Sequence, residues 1–267
     1  MFNVSKWFSG KTKLISVLVI GIIILLIIPF PAVVLDIFIG LNLLSVLLLL
    51  FVVLFTKKIT DFSSFPAVLL ISTVVTLAIN IAVTRMVLTI GPHYDGKIIN
   101  ALSNIIAGSH ETGRLMVGYI IFIVIFSFML FITVKGGTRV SEAAVRFTLD
   151  SMQVKLMAVD TEFSAGVLSE EQALAKKQKI QKEADFYGSL DGAAKFISDN
   201  AKIASFILYI IIIAGVIVDY FFRETALLDA VKTYMYLSVG CGIVFLLPSF
   251  IISLTIGIII SRLVLKD

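Results

Sequence analysis

Runs of about twenty apolar residues recur along this chain, and nothing else limits its fold as strongly. "YIIFIVIFSFMLFITV", Tyr119 to Val134, is one of them. A helix that crosses a bilayer needs about 20 mostly apolar residues. Only 15% of the residues are charged and 59% are hydrophobic, whereas a soluble domain carries about 25% charge. The outward-facing alternation of a membrane β-barrel is absent. The expected fold is therefore all-α, a polytopic integral membrane protein.

Six spans are expected, near Leu14–Val34, Ile37–Phe55, Phe65–Leu88, Leu115–Val134, Ile203–Phe222 and Met235–Ser261. In the third, Thr73, Thr76, Asn80 and Thr84 make one face polar. That suits a helix packed among other helices, where such groups find partners. Basic loops mark the cytoplasmic side. Lys6, Lys11 and Lys13 precede the first span, Lys57 and Lys58 follow the second, and Arg262 and Lys266 follow the sixth. Both termini are expected inside (N-in, C-in). The basic start and first apolar run could form a signal peptide. The run is too long for one and "PFPAVVLD" offers no small-residue cleavage site, so it reads as a retained span. The expected organisation is four spans in 1–134, a charged, helical cytoplasmic loop over 135–202, and two spans in 203–267.

That loop holds half of the chain's charge, ten basic and ten acidic residues. Such balance favours folded, paired structure over a polybasic lipid-binding tail. Ser169 and Gln172 have capping-box spacing, so a helix should start there. Gly188 and Gly192 are expected to loosen or break it. At about 100° per residue, Arg139, Glu142, Arg146 and Asp150 share one helix face, with Glu142–Arg146 and Arg146–Asp150 as opposite charges four apart. On spacing alone, a solvated face is the plainer reading. The other is an interaction or gating surface.

The run "KGGTRVSEAAVRFTLDSMQVKLMAVDTEFSAGVLSEEQA" followed by "EADFYGSLDGAAKFI" closely resembles the FHIPEP family, the export-gate proteins of flagellar and virulence type III secretion machines. "FSSFPAVLLISTVVTLAINIAVTR" and "LPSFIISLTIGIIISR" agree in the same order. The resemblance implies a bacterial inner-membrane, multi-pass protein in a homo-oligomeric ring, working with other membrane components of the apparatus and coupling ion flow to export. It implies functional charges at Arg139, Glu142, Arg146, Asp150, Lys155, Asp160, Glu183, Asp185, Asp191 and Lys195. The family continues with two further spans and a large cytosolic domain not found in these 267 residues, so a truncated or divergent member is expected.

The sequence departs from the family pattern at several points. Asn200 and Cys241 stand where the pattern has aspartates, although Asp199 lies next to the first. Thr76 replaces a usual arginine, and "QVKL" replaces a usual "PGKQ". Asp36, Arg85, Asp199 and Asp219 remain as candidate ion-path or interfacial residues. Ionisable groups inside a bilayer are costly and usually functional.

No enzyme is expected, since no nucleophile–base constellation or phosphate-binding glycine loop is present. No cofactor or metal is expected either: His93 and His110 lack further ligands at suitable spacing. A net charge of +4 gives no reason to expect nucleic acid. The alternatives are a small secondary transporter or ion channel unrelated to secretion, and a non-functional export-gate remnant. A transporter would want acids, asparagines and broken helices near the bilayer midplane. The interiors of spans one, two, four and six carry no ionisable residue.

Overall fold

A computed structural model describes residues 10–56, 64–108 and 112–264. Among them there is no strand. Helices α1 (Gly10–Ile27), α2 (Ala32–Phe55), α3 (Phe65–Ile90), α4 (Lys97–Ala107), α5 (Thr112–Phe131), α6 (Gly137–Ser164), α7 (Glu170–Phe222) and α8 (Leu227–Val264) follow in order. A 3-10 turn, Gly91–His93, ends α3, and a π turn, Ile132–Gly136, joins α5 to α6. Among the described residues, five stretches are long and apolar enough to cross a membrane: those containing α2, α3, α5, α7 and α8. The first expected span, Leu14–Val34, resolves into the apolar α1 and a break before α2. Pro29 and Pro31 explain the break, because proline donates no amide hydrogen and disfavours helix in the residue before it.

The chain forms two compact units. The first comprises Met1–Leu43, Val74–Ser127 and Ile203–Leu246, the second Leu44–Thr73, Phe128–Lys202 and Leu247–Asp267. In the second, Val46, Phe65, Leu69, Leu190, Ile197 and Ile256 belong to one buried apolar cluster. Outward apolar residues on α2 and α5, such as Leu48, Phe51, Ile120 and Val124, are exposed. Apolar exposure on that scale is what a lipid-facing surface requires. Within its most apolar window α8 is 72% buried, against 22–44% for the other four crossing helices.

The expected polar face of α3 is buried at Thr73, Thr76 and Asn80. Asn42 Nδ2 donates to Thr76 Oγ1 at 3.0 Å. The expected break at Gly188 and Gly192 does not occur, since α7 runs through both. Each glycine costs the helix about 1 kcal/mol. Phe186, Leu190, Ala193, Ala194 and Ile197 around them are buried in the unit's core, which outweighs that cost.

Candidate functional site

The charged segment is an antiparallel helical hairpin. α6 ends in a Schellman motif: Val167 N donates to Glu162 O at 3.0 Å, and Gly166 N to Phe163 O at 3.0 Å. Gly166 carries φ +73°, a conformation that glycine adopts without penalty. α7 then opens with the expected capping box. Ser169 N donates to Gln172 Oε1 at 3.0 Å, and Gln172 N to Ser169 Oγ at 3.3 Å.

Ion pairs join the two helices. Lys176 meets Glu162 at 2.7 Å, Lys177 meets Asp160, and Lys195 lies 3.6 Å from Glu142 while also holding Asp191 at 2.8 Å. Glu142 thus turns toward α7 and not toward Arg146. Arg139, Arg146 and Asp150 are exposed, and no ion pair is found for them among the described residues. An exposed pair four apart is worth about 0.3–0.5 kcal/mol, too little to hold two long side chains in place. Lys155 and Asp185 are also exposed, and Gln181 Nε2 donates to Asp185 Oδ1 at 3.0 Å. At the root of the hairpin, Ser198 Oγ donates to Val134 O in the π turn at 3.3 Å.

The candidate ion-path residues separate into different roles. Asp36, on α2, accepts from the Lys97 amide at 2.7 Å and the Ile98 amide at 3.2 Å. It caps α4, whose own N-cap residue, Gly96, has no side chain to offer. Arg85 donates to the Leu26, Ile27 and Ile28 carbonyls at the end of α1. Asp199 is exposed and pairs with Lys202 at 2.8 Å. Asp219 is fully buried: its Oδ1 meets Arg223 and accepts from Tyr234 Oη at 3.0 Å, and its Oδ2 has no partner among the described residues.

Asn200 is buried and donates to Ser249 Oγ at 2.9 Å, and its Oδ1 has no partner among the described residues. Cys241 is a fully buried free thiol. Burial, ahead of the charges of its neighbours, pushes the phenol of Tyr94 upward, so Tyr94 stays neutral near pH 7. His93 is exposed and His110 lies outside the described residues.

Sequence reading missed two features. One is a set of arginine caps. Besides Arg85 on α1, Arg262 Nη1 donates to Val53 O and Leu54 O at the end of α2, each at 3.0 Å. Arg223 Nη2 donates to Leu88 O at 3.1 Å and Thr89 O at 2.5 Å at the end of α3. Three helix ends, where carbonyls lack intrahelical donors, are thus closed by a distant guanidinium. The other is α4. Its Ser103 Oγ donates to Tyr236 O at 2.8 Å and accepts from Gly240 N at 3.0 Å, bridging two groups that an α8 ladder bond would join. A Cβ on Gly240 would strike Ile99 O, so glycine is what lets α4 approach α8. The signal was the Gly240 and Ser103 pair, but nothing local linked them.

Apolar crossing helices, capped ends and a charged hairpin define a multi-pass, all-α membrane protein. The chain belongs to the FHIPEP family, which it matches over residues 22–267. It is 42% identical over 255 residues to "Flagellar biosynthesis protein FlhA" of Treponema pallidum (96% of this chain, 36% of the relative). It is 41% identical over 260 residues to the protein of that name from Borreliella burgdorferi (97% and 37%), and 36% identical over 254 residues to that of Bacillus subtilis (94% and 37%). The chain thus spans little more than a third of the length of these relatives. No solved structure matches it.

Proposed function

We propose that this chain is the membrane part of an export gate in a type III protein export apparatus of the bacterial inner membrane, built into a homo-oligomeric ring with other membrane components. The observation that carries the reading is a family match over nearly the whole chain, charged hairpin included. The geometry supports it. Glu162–Lys176, Asp160–Lys177 and Glu142–Lys195 bridge the two helices of the hairpin, which leaves Arg139, Arg146 and Asp150 facing outward for a partner. Lys155, Asp185, Asp191 and Lys195 belong to the same functional set.

The embedded polar groups favour a gate that assembles yet conducts protons weakly. Asn200 cannot titrate, and Cys241 is sealed in an apolar helix packing. Asp36 and Arg85 act as helix caps. Deleting this chain from its host should stop secretion of flagellar or virulence proteins while the other membrane components are still made. Normal secretion in the deletion strain sinks the reading.

A further inference from the structure

The outward faces of the hairpin carry features that its own fold does not use. Phe147 on α6 is 75% exposed, in a helix that the charge balance places outside the bilayer. On α7, Gly188 and Gly192 are exposed, and a Cβ at either would meet nothing within 4 Å. Two mid-helix glycines cost about 1 kcal/mol each and need a packing reason. They stand one turn apart and leave an exposed notch in α7, on the flank beside Lys195.

The ion pairs fix the register between the helices. Glu142 is beside Lys195 and Asp160 beside Lys177. Position 147 on α6 is therefore level with position 190 on α7, midway between Gly188 and Gly192. By the same register Arg139 is level with position 198, next to the exposed Asp199, which also meets Lys202 of its own helix. A protruding ring and a notch, and a cation and an anion, thus sit at equal heights on the two helices of one hairpin. Side-by-side copies standing in the same membrane keep those heights. The occupant that matches both pairs is another copy of this chain.

We propose that hairpins of adjacent copies dock laterally, with Phe147 of one seated between Gly188 and Gly192 of the next and Arg139 facing the next copy's Asp199. The proposal rests on the ring reading above and specifies the contact surface. A heterologous contact of this kind closes into a ring when its rotation closes.

The test uses the full chain in membranes in a Cys241→Ser background. One tagged copy carries Phe147→Cys, and a second, differently tagged copy carries Gly192→Cys. Mild oxidation should give a mixed-tag disulfide dimer. Val154→Cys paired with Gly192→Cys, two turns away in height, should not. Gly192→Leu fills the notch, improves helix propensity, and should abolish cross-linking of Phe147→Cys to Ser189→Cys. If the copies co-purify yet no 147–192 cross-link forms, this surface is wrong and the ring reading survives. If tagged copies never co-purify, both fail. Capture of a different protein by Phe147→Cys overturns the second-copy occupant.

Discussion

Asp36→Ala separates capping from proton carrying at a half-buried candidate residue. Asp36 receives two amide hydrogens, at 2.7 and 3.2 Å, in the first turn of α4, and Gly96 supplies no side-chain substitute. Losing an N-cap costs about 0.5–2 kcal/mol. Losing a negative charge at the dipole's positive end adds about 0.3–1 kcal/mol. The sum, about 1–3 kcal/mol, should raise opening of the first α4 turn about 5- to 160-fold. Hydrogen exchange of a peptide covering 97–104, in nanodiscs, reads this directly. Asp36→Asn keeps an acceptor oxygen and should show a smaller rise. Unchanged exchange in Asp36→Ala refutes the capping argument. Full α4 protection in Asp36→Asn with export abolished would return Asp36 to the ion path.

Other predictions concern the buried pair, the missing acids and the orientation. Asp219→Ala should destabilise the protein by about 3 kcal/mol, the low end for a broken buried pair because Arg223 keeps 26% of its side chain exposed. Arg223→Leu should cost less in the Asp219→Ala background than in wild type in chemical unfolding, showing coupling between the two. Asn200→Asp with Cys241→Asp should raise proton leak through inverted vesicles above wild type; strong wild-type flux would point to another carrier, with Asp199 and Asp219 next in line. Single cysteines at Ser169 and Ser189, in a Cys241→Ser background, should label only after the inner membrane is permeabilised, whereas Ser109→Cys should label from the periplasm.

What was legible in the sequence is what local chemistry decides. Apolar runs mark crossing helices because lipid leaves backbone groups no other solution. The Ser169–Gln172 box is readable because both partners lie within one turn. The arginine caps were not readable, since Arg262 closes a helix end over two hundred residues earlier. α4 escaped notice because its 11 residues gain their stability from Asp36, Ser103 and Gly240 contacts made across the fold. Gly188 and Gly192 misled for the opposite reason: local propensity argued for a break, and tertiary burial of their neighbours overrode it.

The central claim is that the hairpin's outward charges serve export and are not merely solvated, and Arg146 tests it most directly. Arg146 is exposed and has no ion pair among the described residues, so Arg146→Glu should change stability by no more than about 0.5 kcal/mol. The measurement is the amount of exported protein in a host that depends on this chain, with membrane levels of wild type and variant matched. The account predicts a clear loss of export at normal membrane levels. Export equal to wild type at equal levels would contradict it and leave the face a solvated helix surface.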